Sequence, residues 1–186
     1  MTIGFALCGS FCTYAQVFPV MEQLSKEHTV IPIFSYAASQ TDSRFGAASD
    51  FLRQAEAICG CPPLLTMPDV EPIGPRKLLD LLVIAPCTGN TLAKLAHSIA
   101  DTPVTMAAKS HLRNGMPIVI AVSTNDGLAG AAENIGKLLG KKNYYFVPFG
   151  QDDPAKKPTS LIADFARIPE TLTQAARGQQ LQPLLL

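Results

Sequence analysis

The segment Ala85-Pro86-Cys87-Thr88-Gly89-Asn90-Thr91-Leu92-Ala93-Lys94 directly follows the apolar run Leu78 to Ile84. A buried strand there ends in a turn bearing hydroxyls and an amide, then enters a helix with a lysine on its first turns. In an open α/β sheet that junction binds phosphorylated or anionic ligands, because unpaired helix N-terminal N–H groups face the crevice at the strand ends. Asn90 lies four residues before Lys94, so the two share a helix side and can address one ligand. A second turn, Gly9-Ser10 with Thr13 close behind, follows the first apolar run and can cradle a phosphate with backbone N–H groups and hydroxyls. It lacks the Gly-Lys-Ser/Thr ending of a Walker A loop and the spaced glycines of a dinucleotide fingerprint, which argues against ATP and NAD. Two more turns carry polar groups after apolar runs, Ser35-Tyr36 and Ser123-Thr124-Asn125-Asp126.

Among the cations, Arg44, Lys109, Arg113, Lys156 and Lys157 could meet an anionic substrate. Arg44 carries most weight, since it lies between Asp42 and Phe45 in a long connection where a guanidinium can grip a carboxylate bidentately. Cys87 has no nearby histidine to activate it, so packing is its expected role. Cys8, Cys12, Cys59 and Cys61 are read as small residues beside turns. The five cysteines and three histidines form no metal-type spacing, and no metal is expected.

These turns need a scaffold, and the apolar runs Ile3–Leu7, Val30–Phe34, Leu79–Ala85, Ile118–Val122 and Tyr144–Val147 supply it. They alternate with helical patterns and are Ile-, Val- and Leu-rich throughout, which predicts βαβ units around a mostly parallel sheet covered on both faces. A short strand near Leu64–Met67 is a further candidate. The first helix is expected from Thr13, with Gln16 completing a capping box, a buried face of Val17, Val20, Met21 and Leu24, and a kink or delayed start at Pro19. Leu92, Leu95, Ala96 and Ile99 fall on one helical face. Later helices are expected at about Pro103–Arg113, Leu128–Gly140 and Ser160–Arg177, with Gly140 and Gly178 as stops. Ser35–Gly46 and Pro148–Pro158 read as long, functional connections.

At 186 residues and 47% hydrophobic content, the chain is expected to form a single domain spanning 1–186. Fifteen basic residues balance fifteen acidic ones without a basic block, so neither nucleic acid nor an anionic membrane surface is an expected partner. No apolar stretch nears the roughly 20 residues that cross a bilayer. The opening Met1-Thr2-Ile3-Gly4-Phe5 has no cationic start of a signal peptide, and the expectation is a cytoplasmic protein with reduced thiols.

Residues 85–94 also carry a resemblance. They are similar to the Ala-Pro-x-Ser/Thr-x-Asn segment of flavoproteins related to the cysteine decarboxylases of coenzyme A and lantibiotic synthesis. Gly9-Ser10 and Ser35 match that family's phosphate-binding turns, and Ser123-Thr124-Asn125 stands where it has Pro-Ala-Met-Asn. Over almost the whole chain the sequence resembles one branch from endospore-forming bacteria, the B subunits of synthases that make dipicolinic acid. The segments carrying this are Thr41–Gly46, Ser123–Leu128, Tyr145–Pro158 and Gln180–Pro183. The resemblance implies a flavodoxin-like, Rossmann-type three-layer α/β sandwich that binds FMN and forms homo-oligomers. It also implies, as partner, the dehydrogenase-like A subunit of the same synthase, and as substrate a small dicarboxylate at the dihydrodipicolinate level. By the same resemblance Ser10 and Ser35 would contact the FMN phosphate, Thr88 and Asn90 its ring or ribityl chain, and Asn125 the substrate. The histidine that the decarboxylases carry after the second strand has no counterpart in Ser35–Phe51, which argues against their decarboxylation mechanism. A non-catalytic binding role, or a dehydratase using Asp42, Asp126 or Tyr36, are the alternatives.

Overall fold

The computed structural model describes residues 1–186. The apolar runs take the extended form where their side chains are covered from both sides, as in β3, where all seven residues are buried. In chain order the elements are β1 (Thr2–Leu7), α1 (Tyr14–Ser25), β2 (Thr29–Phe34), α2 (Tyr36–Gln40), α3 (Ala48–Cys59) and α4 (Met67–Val70). They continue with β3 (Leu81–Cys87), α5 (Gly89–Ala96), α6 (Pro103–Leu112), β4 (Ile118–Thr124), α7 (Ala132–Leu139), β5 (Tyr144–Phe146), β6 (Phe149–Gln151), β7 (Leu161–Ala163) and α8 (Ile168–Ala176).

Strands β2-β1-β3-β4-β5 are parallel neighbours in that order, the doubly wound arrangement of flavodoxin-like folds. Past the stretch paired with β5, the end of β4 pairs antiparallel with β7, Ser123 opposite Ile162 and Thr124 opposite Leu161, and β6 closes the row. The β3–β4 pairing slips between Ile84 and Cys87, at Pro86, which has no N–H to give to the ladder. Helices cover the sheet, and the buried side chains form one continuous cluster from Ile3 to Ala175 that fixes the strand-end turns relative to one another.

Helix α1 buries Val17, Val20, Met21 and Leu24 as the spacing predicts, but runs unbroken through Pro19. Pro19 and Ala15 are both exposed, so the carbonyl that loses its donor faces water and the proline is tolerated. Thr13 does not cap. A 3₁₀ turn, Phe11–Thr13, precedes α1 and turns its hydroxyl inward, where it donates to the Ser10 carbonyl at 2.8 Å. Helix α5 buries Leu92, Leu95 and Ala96 and then stops, and Ser98 at φ 59° turns the chain so that Ile99 is left exposed.

Two predicted helices begin later than expected. Residues Leu161–Ala163 form β7, because the end of β4 and β6 offer ladders on both sides, and α8 starts only at Ile168. Residues Asn125–Ala131 wind into turns in which the Asp126 carbonyl accepts from both Ala129 and Ala131, and α7 starts at Ala132. Leu64 makes a single bridge to Ile33 rather than a strand, since the Thr66–Asp69 capping box starts α4 at once. Helix α3 has no counterpart in the predicted elements. It buries Ala48, Phe51 and Ala55 and ends on Gly60 at φ 68°, a left-handed cap that suits glycine.

Candidate functional site

Parallel pairing of β1, β3 and β4 brings their carboxyl ends to one edge, and a cleft of about 330 Å³ opens there. Gly9 and Ser10 line it from the turn after β1, Thr88 from the end of β3, and Ser123, Thr124 and Asn125 from the end of β4. Phe11 and Cys12 of the 3₁₀ turn form one wall, and Ser43, Arg44 and Phe45 reach over from the connection between α2 and α3.

The hydroxyls are held in place. Ser10 Oγ and Ser123 Oγ hydrogen-bond at 2.8 Å, joining the turns of two strands 113 residues apart in sequence. Thr88 caps α5, its Oγ1 accepting from the Thr91 N–H and donating to Thr91 Oγ1 at 3.2 Å. Thr91 in turn donates to the buried Cys8 sulfur at 3.3 Å, anchoring the cap to the end of β1. Thr124 Oγ1 donates to Asp126 Oδ1 at 2.5 Å. A Cβ on Gly89 would lie 2.7 Å from Thr124 Oγ1 and 2.8 Å from Asp126 Oδ1, so glycine is what lets the start of α5 approach the β4 turn. The β4 turn is tied from behind, Thr159 donating to the Asn125 carbonyl at 2.7 Å and Ser160 to that of Thr124 at 3.3 Å.

Arg44 sits at the tip of a two-residue turn closed by reciprocal Ser43 and Gly46 backbone bonds of 3.0 and 3.1 Å. Its guanidinium lies 4.9 Å from the centre of the Phe45 ring and belongs to no ion pair. Arg44 is the one cationic side chain on the cleft, and the lining holds no carboxylate and no imidazole. Beneath it, burial pushes the Cys8 thiol up to about 11 and raises Cys87 well above the usual thiol range, so neither is a nucleophile near neutrality.

Of the residues singled out by sequence, Gly9, Ser10, Arg44, Thr88 and Asn125 therefore meet at one cleft. Three do not line it. Ser35 is buried and its Oγ accepts the Ala38 N–H, capping α2. Asn90, the second residue of α5, is exposed to one side. Lys94 is turned away, its ammonium 2.8 and 2.9 Å from the two carboxylate oxygens of Asp101. That contact holds the Asp101 carboxyl below the usual carboxylate range.

Lys156 and Lys157 pair with Asp153 and Asp152, and Lys109 lines an apolar pocket beside Ile99 and Tyr144. Asp42 accepts the Ala48 N–H. Phe11, Cys12 and Phe45 are cleft residues that the sequence pattern does not single out, and Cys12, expected to pack, is exposed. Their signal is position: Phe11 and Cys12 occupy the same turn as Ser10 and Thr13.

The cleft's donors are neutral hydroxyls, an amide and one guanidinium. This set fits a phosphate monoester attached to a polar ring system, so the residues present fit FMN.

A doubly wound sheet with such a cleft at its strand ends defines a flavodoxin-like nucleotide-binding protein, and residues 1–147 match the Flavoprotein family. The chain belongs to that family. It is 43% identical over 185 residues to the B subunit of dipicolinate synthase from Bacillus subtilis (strain 168), covering 99% of this chain and 92% of the relative. The crystal structure of the corresponding B subunit from Bacillus halodurans superposes with a TM-score of 0.91 at 45% identity, covering 100% of this chain and 95% of that one. The FMN-dependent cysteine decarboxylase SpaF matches with a TM-score of 0.68 at 25% identity, over 95% of this chain and 97% of its own.

Proposed function

We propose that the cleft binds FMN together with a ring dicarboxylate, and that the chain is the flavoprotein component of a two-component synthase. Its partner is the dehydrogenase-like A subunit of dipicolinate synthase, and together they oxidise a dihydrodipicolinate-level intermediate to dipicolinic acid. The observation that carries this is the meeting of three strand-end turns, with hydroxyl donors and a single cation, on one cleft. The family and the two relatives that are B subunits of dipicolinate synthases support the same reading.

FMN, when bound, supplies a two-electron acceptor. The chain's residues bind and orient. The Gly9-Ser10 turn offers backbone N–H and hydroxyl donors to the phosphate. Ser35 joins it with the proton its cap leaves free, since its Oγ serves α2 only as acceptor. Thr88 and Asn90, at the start of α5, address the ring or ribityl chain. Arg44 and Asn125 face the substrate carboxylates. Lys94 is kept from that duty by Asp101. Aromatisation favours the oxidation, so orientation of the ring carbon is the main task.

The lining has no carboxylate or imidazole to take the proton lost on aromatisation. That favours a division of labour in which this chain holds the ligands and the dehydrogenase-like partner completes the chemistry. Assaying dipicolinate formation with the partner alone, with both chains, and with both chains plus FMN tests it. The expected result is turnover at least tenfold faster in the complete mixture (~1.4 kcal/mol). Full turnover by the partner alone would remove any need for this chain.

A further inference from the structure

Beside the polar cleft, and sharing Phe11, Cys12 and Phe45 with it, lies a second cavity of about 310 Å³ whose walls are aromatic. Phe51 of α3 lies nearly parallel to Phe11 and Phe18, with ring centres 6.4 and 6.0 Å away, and meets Tyr14 edge-on at 4.7 Å. Those four rings pack on one another. Phe45 pairs with none of them and is 47% exposed, so core packing does not account for it.

Its placement is nonetheless fixed. Gly46 holds φ 150°, a backbone region that favours glycine, and a Cβ there would lie 2.8 Å from the Phe51 ring. Phe51 thus sets the turn, and the turn presents the Arg44–Phe45 pair at the junction of the two cavities. Arg44 is exposed and pairs with no carboxylate of this chain, so its guanidinium is free to take the carboxylate of a ligand.

The geometry points to a subsite for a planar aromatic carboxylate, its ring lying in the aromatic cavity against Phe45 and Phe11 and its carboxylate on Arg44. The identity of the acid rests on the function proposed above, and the subsite adds a preference within it. A guanidinium grips the carboxylate of product and precursor alike. Offset stacking needs a flat π face, so the walls favour the aromatic product over a partly saturated precursor. The ring then lies beside the hydroxyl cleft, and Arg44 holds its carboxylate at the edge of that cleft beside FMN.

Isophthalate and cyclohexane-1,3-dicarboxylate carry the same charges on a flat and a puckered ring. Titrating each into the full chain by NMR, with and without saturating FMN, separates charge from planarity. Isophthalate is expected to bind saturably, with upfield ring-proton shifts and shifts at Phe45 and Phe11. The puckered acid is expected to bind about tenfold more weakly, and Phe45→Ala, Phe45→Leu and Arg44→Gln each to weaken isophthalate about tenfold.

FMN is expected to leave isophthalate bound. Equal affinity for the two acids, an unaffected Phe45→Leu chain of unchanged melting temperature, or shifts confined to Ser10, Thr88 and Ser123 would overturn the subsite. So would displacement of isophthalate by FMN, which would put the flavin ring in the cavity. Self-association lost in Phe45→Ala, without isophthalate binding, would give the cavity to a second copy and also overturn it. Isophthalate binding in a chain that takes up no FMN would leave the subsite standing and remove the proposed cofactor.

Discussion

Two polar regions flank the start of α5, and only one of them opens on the cleft. The turns after β1, β3 and β4 converge on the cleft because parallel neighbours must end on the same edge. The outer face of α5 drifts away from it. Each helical residue adds about 1.5 Å of rise and turns the side chain by roughly 100°, so six residues take Lys94 about 9 Å along the axis from Thr88. There it meets Asp101 instead of a ligand. Proximity in sequence to a binding turn is a weaker guide than membership of a strand end.

The largest contrast is expected among the thiols. Cys12 is exposed on the cleft, while Cys8 and Cys87 are buried beneath it with pKa values raised by burial. Native alkylation near pH 8, followed by peptide mass spectrometry, should label Cys12 orders of magnitude faster than Cys8, whose thiolate fraction is about 0.1%. Saturating FMN should slow the labelling of Cys12. Equal labelling of all three would mean that the cleft floor opens.

Next in size is the pair of cations. Arg44→Ala should weaken dicarboxylate binding by about 10- to 100-fold, the cost of losing a charged hydrogen-bonding partner. Lys94→Ala should change it less than about twofold and lower stability by under about 1 kcal/mol, since it removes only a part-exposed ion pair. The reverse ranking, read by calorimetric titration, would move the site to the outer face of α5.

Smaller still are the hydroxyls. Ser10→Ala and Ser123→Ala each remove one side of a 2.8 Å bond and should weaken FMN binding a few-fold, about 1 kcal/mol, with Asn90→Ala having the lesser effect. An FMN titration by fluorescence quenching ranks the three.

The smallest effect belongs to the opposite end of β4. There the buried His111 donates from Nε2 to the Pro117 carbonyl at 3.1 Å, and burial holds its pKa below the usual imidazole value. The unfolded chain takes up a proton first as pH falls below about 6.5, so His111 lowers stability on the acid side and is silent above it. Urea midpoints at pH 7.5 and 5.5 should show a loss of stability at the lower pH that His111→Gln abolishes. A pH-independent difference between the two chains would remove His111 from the account.

Strand ends were legible because each strand is an apolar run closed by turn residues, and Gly9, Ser10, Thr88 and Asn125 follow from that pattern alone. Features set by partners distant in the chain were not. Leu161–Ala163 reads as helix until the end of β4 is seen beside it. Ser35 reads as a residue of an open loop until α2 forms and takes its oxygen as a cap, which leaves only its proton for a ligand. Phe11, Cys12 and Phe45 turn toward the cleft because a 3₁₀ turn and a glycine-closed hairpin aim them there, and neither leaves a periodic mark in sequence. Helix α3 did leave one, in Ala48, Phe51 and Ala55 with Gly60 as its stop.

FMN titrated into the ¹⁵N-labelled chain, followed by amide shifts and the visible flavin spectrum together, tests the strand-end cleft most directly. The account predicts saturable spectral change with the largest shifts at Gly9, Ser10, Thr88 and Gly89 and at Ser123 to Asn125. No saturable change at tens of micromolar FMN, or shifts gathered at Lys94 and the outer face of α5, would contradict it.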